Sequence, residues 1–177
     1  MKKRFQDAEQ FLEALEPSLR NEPDMINVYT SWMIELQSNG EYEKAEMVIN
    51  NIDVDRIDSR RHLTLYYFVK SRQHIGFKQY EQALQTQFKL IECNTYLEER
   101  ELLCFIGETY LLMEDFNEAR KNYQRAKRLS EQNYFDVEIG LCKSYTGLGR
   151  TTPAKLAIEN ATQLLSFVYV SKIVEKI

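Results

Sequence analysis

Glycine and proline are scarce in this 177-residue chain, with six Gly and three Pro. A fold with many tight turns needs more of both, so long helices are favoured over β-structure. Cysteine is equally sparse. Cys93, Cys104 and Cys142 are odd in number, far apart and without a C-x-x-C pair. That speaks against a disulfide framework or a zinc site, and fits reduced, buried thiols in a cytoplasmic protein. No apolar run approaches the ~18 residues of a membrane span. The opening MKKRFQDAEQFLEALEP has basic residues but no uninterrupted apolar segment after them, so it does not read as a secretory signal. Basic charge is not in excess: the net charge is −4, which argues against direct nucleic-acid binding, a task that leans on Lys and Arg.

The equipment of catalysis is thin as well. There are two histidines. His62 falls near a helix start and His74 where a larger ring would pack, and neither has a Cys or Ser partner at an interpretable spacing. No H-E-x-x-H, P-loop or Rossmann fingerprint occurs, and GLGRTTPAK at 147–155 lacks the G-x-x-x-x-G-K-[ST] spacing of a phosphate loop. The acidic pairs Asp53/Asp55 and Glu98/Glu99 fall in connections, where solvated charge is the default, and EF-hand spacing is absent. The expectation is a non-enzyme without metal or cofactor.

Against these absences stands a strong internal pattern. Residues 101–130, ELLCFIGETYLLMEDFNEARKNYQRAKRLS, read Leu103-x-x-Ile106-Gly107-x-x-Tyr110, then Ala119-x-x-x-Tyr123, then Ala126. The spacing predicts an antiparallel helix pair. Gly107 and Ala119 would let the two backbones approach, Tyr110 and Tyr123 would fill the seam, and Phe116 would plug the hairpin end. The same intervals recur at Tyr145, Gly149, Ala154, Ile158 and Ala161. Tyr29, Trp32, Met33 and Leu36, then the turn Ser38-Asn39-Gly40, then Tyr42, Ala45, Ile49 and Ile52 form an earlier copy. Residues 60–93 form a looser one, with Tyr80, Ala83 and Leu90 in place but Gln87 where a large apolar residue is usual. The start of its first helix is apolar nearly all round, which suggests a central position. Aligning Leu36, His74, Tyr110 and Tyr145 gives intervals of 38, 36 and 35 residues.

This pattern resembles the tetratricopeptide (TPR) family, whose repeat is about 34 residues with W-x-x-L-G-x-x-Y…A-x-x-x-F. The resemblance covers residues 24–166 and implies an all-α, right-handed superhelical array of antiparallel helix pairs. About four repeats are expected, at 24–52, 60–93, 100–132 and 134–166. Residues 1–23 read as an N-terminal capping helix or half repeat, with Phe5, Ala8, Phe11, Leu12 and Leu15 on one face. Residues 167–177 read as a C-terminal cap or self-association surface, because a repeat array needs its end faces covered. The proline that usually closes a second helix is missing from every repeat.

What the resemblance implies for function is a concave groove, lined by first helices, that takes an extended peptide or a partner helix. Helical geometry assigns its wall. The first repeat gives Asn27, Thr30, Ile34 and Gln37, and the second Leu65, Phe68, Val69 and Arg72. The third gives Glu101, Cys104, Phe105, Glu108 and Leu111, and the fourth Asp136, Ile139 and Lys143. Apolar anchors with charges at intervals suit a peptide site. Two competing readings stay open: Arg72, Glu108 and Lys143 could form a solvated ladder among themselves, or the groove could be filled by the chain's own termini. Homodimerisation through the array ends is the alternative function. A carboxylate clamp like that of chaperone-binding arrays is disfavoured, since Thr30, Ile34, Val69, Glu101 and Phe105 hold its basic places. The segments at 63–84 and 105–126 also resemble the TPR portions of bacterial peptide-sensing regulators, the Rap phosphatase and quorum-sensing receptor class, which implies a peptide sensor. Finally, Arg120, Lys121, Arg125, Lys127 and Arg128 crowd one helix. They read either as an anionic-partner surface or as a solvated face with i,i+4 pairing and a favourable dipole match at the helix end.

Overall fold

In a computed structural model the chain is all-helical over the residues the structure describes, 23–129 and 134–174, with side chains at 25–129 and 134–165. The expected helix within 1–23 and the apolar tail side chains from Phe167 to Ile177 lie outside the described residues. Among the described residues eight α-helices follow in order: α1 Pro23–Ser38, α2 Tyr42–Ile49, α3 Arg60–Gly76, α4 Tyr80–Cys93, α5 Glu99–Leu112, α6 Phe116–Arg128, α7 Phe135–Gly147 and α8 Thr151–Val174. A short 3-10 turn, Val54–Arg56, sits in the longest connection. No strand occurs among the described residues.

The helices are joined in twos by turns of one design. In each, one residue takes a left-handed conformation: Gly40 (φ 75), Lys78 (φ 58), Glu114 (φ 59) and Gly149 (φ 68). The amide of the next residue reaches back five positions, from Glu41 to the Leu36 carbonyl (2.9 Å), Gln79 to His74 (2.8 Å), Asp115 to Tyr110 (2.9 Å) and Arg150 to Tyr145 (2.8 Å). The left-handed residue bonds inside that loop, for example Lys78 N to Ile75 O at 2.9 Å. This is the Schellman closure, which satisfies carbonyls that a helix end leaves bare. The residues that set the sequence intervals are thus those whose carbonyls close the turns.

The chain divides into two compact units, one made of the residues up to Gln79 with Phe88–Thr95, the other of Tyr80–Gln87 with the residues from Tyr96 onward. In the first unit α1 packs on both α2 and α3. Its core joins Ile26, Tyr29, Met33 and Leu36 of α1 to Ala45, Val48 and Ile49 of α2, with Ile52, Ile57 and Val69. Polar bonds tie the same helices. Gln37 Nε2 donates to the Val69 carbonyl (2.9 Å) and to Gln73 Oε1 (3.1 Å), and Gln73 Nε2 donates to the Tyr42 carbonyl (2.6 Å). α3 departs from its sequence reading. The residues it buries are Thr64, Val69, Ser71 and Gln73, while Leu65, Tyr66, Tyr67 and Phe68 are half-buried. Ser59 stands at the N-cap of α3 without a side-chain capping bond, and Asp53, at the N-cap of the 3-10 turn, accepts from the Asp55 amide at 3.3 Å.

In the second unit α6 packs on both α5 and α7, and α7 on α8. Tyr123 of α6 is the common filler. A Cβ added at Gly107 would stand 2.8 Å from its ring, and one at Gly140 only 2.2 Å. Gly107 therefore makes room for an aromatic ring more than for the neighbouring backbone. Phe116 does not simply stopper its own hairpin: its ring lies against Gly147, the last residue of α7. Tyr42 meets Gly76 at the end of α3 in the same way. Gln87, out of place by sequence, is buried and donates to Thr109 Oγ1 at 2.7 Å, so a hydrogen bond to α5 replaces the apolar contact.

α8 buries Ala154, Ala157 and Ala161. Ile158, aligned with Tyr123, is instead 43 % exposed. The reason is local: α6 has a helix on either side, whereas among the described helices α8 makes a substantial packing contact with α7 alone. The helix also runs unbroken past 166 to Val174, so the tail continues α8.

Candidate interaction surface

The residues assigned to a groove wall fall into two groups, one in each unit. In the first, Asn27 is exposed and Ile34, Leu65, Phe68 and Arg72 are half-buried. The Arg72 guanidinium lies 5.9 Å from the centre of the Phe68 ring, a cation–π distance that orders one turn of α3. Three assignments need correction. Val69 is fully buried in the core, Gln37 is spent on the bonds between α1 and α3, and Thr30 is buried with its hydroxyl 2.8 Å from the Ile26 carbonyl. Gln37 and Val69 lie where α1 and α3 meet, because the seam between first helices is wider than a simple two-faced helix allows.

In the second unit Glu101, Glu108, Asp136 and Lys143 are exposed, while Cys104, Phe105, Leu111 and Ile139 are half-buried. Glu101, Phe105 and Glu108 share one face of α5, and Asp136, Ile139 and Lys143 one face of α7. The two helices are in contact. Arg100, which the sequence reading passed over, joins them. It pairs with Asp136 at 3.2 Å, stands near Glu98 (3.6 Å) and Glu101 (3.9 Å), and places its guanidinium 3.9 Å from the centre of the Tyr134 ring. Glu101 has a second task, accepting from the Glu98 amide at 3.1 Å in a capping box that starts α5. Glu101 and Asp136 are therefore fixed in place, and Glu108 and Lys143 form no ion pair with each other among the described residues. Arg100 and Asp136 are one repeat interval apart, the only trace of this link in the sequence.

Cys104 sits beside this network. Burial first, and then the Asp136 carboxylate, push its thiol up to about 12, so it stays protonated and unreactive at neutral pH. Cys93 is shifted up as well, again chiefly by burial. All three cysteines are free. No cluster of three or more metal-ligating side chains occurs among the described residues.

The chain matches no family model, no curated protein and no solved structure. Its function must be argued from its own side chains.

The basic residues of α6 are mostly engaged. Lys121 pairs with Glu118 at 2.5 Å and Arg125 with Glu99 at 3.2 Å, and Arg120 Nη1 donates to Gln124 Oε1 at 3.1 Å. Lys127 bonds the buried carboxylate of Glu138 on α7 at 2.5 Å, and Asn160 of α8 donates to the other oxygen at 3.3 Å. This three-helix knot was invisible to a reading of α6 as a solvated face. His74 is likewise structural, its Nδ1 lying 2.9 Å from Gln79 Oε1 within a turn. No helix among the described residues is long and apolar enough to cross a membrane.

Proposed function

We propose that the chain is a TPR-type helical-repeat protein that binds an extended peptide or a partner helix on its first helices, without catalysis of its own. The observation that carries this reading is the surface of α5 and α7, where half-buried Phe105 and Ile139 lie among exposed Glu101, Glu108, Asp136 and Lys143. Accessible apolar anchors with charges held at fixed places give affinity and register together. The four identical turns at near-repeat spacing support the repeat assignment. A cytoplasmic peptide sensor, of the kind found in bacterial regulators, is the role such a surface suits, and the three free cysteines fit a reducing compartment. The test is selection from a library of displayed peptides, then titration of a selected peptide against the parent, Phe105→Ala and Glu108→Lys. Weaker binding by the variants is expected, and equal binding by all three overturns the assignment.

A second reading rests on α8. Ile158 and Leu165 are 43 % and 53 % exposed and lie seven residues apart on one face. A self-associating array would cover them. Sedimentation at two concentrations reads this out, since a dimer held by mass action dissociates on dilution.

A further inference from the structure

We propose that Asn39 is a site of spontaneous deamidation, and that the protein therefore matures into a form with an additional negative charge at the α1–α2 turn. Of all the asparagines in the chain, Asn39 alone is followed by glycine. Both Asn39 and Gly40 are exposed. The space a Cβ would occupy at Gly40 is open, with nothing within 4 Å. The Asn39 carboxamide makes no hydrogen bond among the described residues. Three other asparagines are better held. Asn122 Nδ2 donates to the Glu118 carbonyl (2.9 Å) and Asn160 Nδ2 to Glu138 (3.3 Å), both inside helices and followed by Tyr123 and Ala161. Asn51 Nδ2 donates to the Met47 carbonyl at 2.8 Å and precedes a β-branched residue, Ile52.

The step is an intramolecular acyl transfer. The Gly40 amide nitrogen gives its proton to base and bonds to Asn39 Cγ. The Cγ–Nδ2 bond breaks, and the nitrogen leaves as ammonia. Water then opens the five-membered imide at one of its two carbonyls. Opening at the backbone carbon routes the chain through Cγ and leaves isoaspartate, while opening at the side-chain carbon leaves aspartate. Amide and water become acid and ammonia, and nothing is oxidised or reduced.

The turn itself restrains this reaction. The attacking nitrogen donates to the Gln37 carbonyl at 3.1 Å, and Glu41 N closes the loop onto Leu36 O at 2.9 Å. Ring closure needs the first bond to open, so its rate follows local opening of this turn. The product carboxylate stands at the C-terminal end of α1, where the helix dipole is negative and disfavours it. Isoaspartate also lengthens the backbone inside the closed loop.

The test holds the purified full chain at mildly alkaline pH and physiological temperature and maps its peptides over time. The expected result is amide-to-acid conversion at Asn39 several-fold ahead of Asn94, which precedes Thr95 in a connection, with isoaspartate among the products. Gly40→Ala is the companion variant. It strains the left-handed position and loosens the turn, yet it slows conversion if the bare glycine nitrogen is the nucleophile. Conversion at Asn39 no faster than at Asn94, aspartate without isoaspartate, or faster reaction in Gly40→Ala overturns the proposal.

Discussion

At the scale of single residues, a few buried polar groups decide more than their number suggests. Glu138 is 1 % exposed, and its two carboxylate oxygens are held by Lys127 and Asn160. Lys127→Met removes the counter-charge but leaves the carboxylate buried, and should cost about 3 kcal/mol in urea unfolding. Adding Glu138→Leu should recover most of that loss, because an apolar pair of similar volume carries no desolvation penalty. A loss of under about 0.5 kcal/mol in Lys127→Met would show the pair to behave as an ordinary surface one. Alkaline pH acts on another set. Burial is the chief cause that shifts the Tyr66, Tyr67, Tyr110, Tyr123, Cys93 and Cys104 side chains upward. The fold thus favours their neutral forms, whereas the unfolded chain gives up its protons first. Their contribution is fully present below the ordinary thiol value of 9.0 and is lost as pH rises toward about 12 for Cys104. Thermal melts should be level at neutral pH and fall above about pH 9, less steeply in Cys104→Ala.

At the scale of elements, turns and glycine sockets carry the architecture. Lys78 and Glu114 hold left-handed conformations that Gly40 and Gly149 hold without a Cβ. Lys78→Gly and Glu114→Gly should each stabilise by up to about 1 kcal/mol, read as a rise in melting temperature. Gly140→Ala tests the opposite case. In an exposed helix that change is favourable, but here the new Cβ would meet the Tyr123 ring at 2.2 Å. A loss of about 1–3 kcal/mol is expected, with partial recovery in Gly140→Ala/Tyr123→Leu. Much of this scale was legible in the sequence, since Leu36, His74, Tyr110 and Tyr145 marked the turns and Ala119, Tyr123 and Ala126 the buried face of α6. Partner identity was not. Periodicity tells that Gly107 and Tyr123 are special, but not that the ring fills space beside two glycines on two helices. It also cannot see that Arg100 reaches Asp136, or that Gln87 satisfies itself on Thr109, because such pairs depend on side-chain reach across elements. Val69 and Thr30 were misplaced for a related reason: each first helix is covered on two sides, so its buried arc is wider than the repeat pattern alone implies.

At the scale of the whole molecule, the proposed function places a ligand on the first helices and not on the outer face of α8. Within the second unit these surfaces carry different methyl groups, Leu111 and Ile139 on α5 and α7, and Leu156, Ile158 and Leu165 on α8. Phe105→Ala should weaken a selected peptide by about 2 kcal/mol, roughly thirtyfold in Kd, if the ring is a buried anchor in the complex. The most direct measurement is a methyl NMR titration of the intact chain with that peptide. Shifts at Ile139 and Leu111, with Leu156, Ile158 and Leu165 unmoved, are the predicted result. Shifts confined to Ile158 and Leu165, with the α5 and α7 methyls unchanged at saturation, would contradict it.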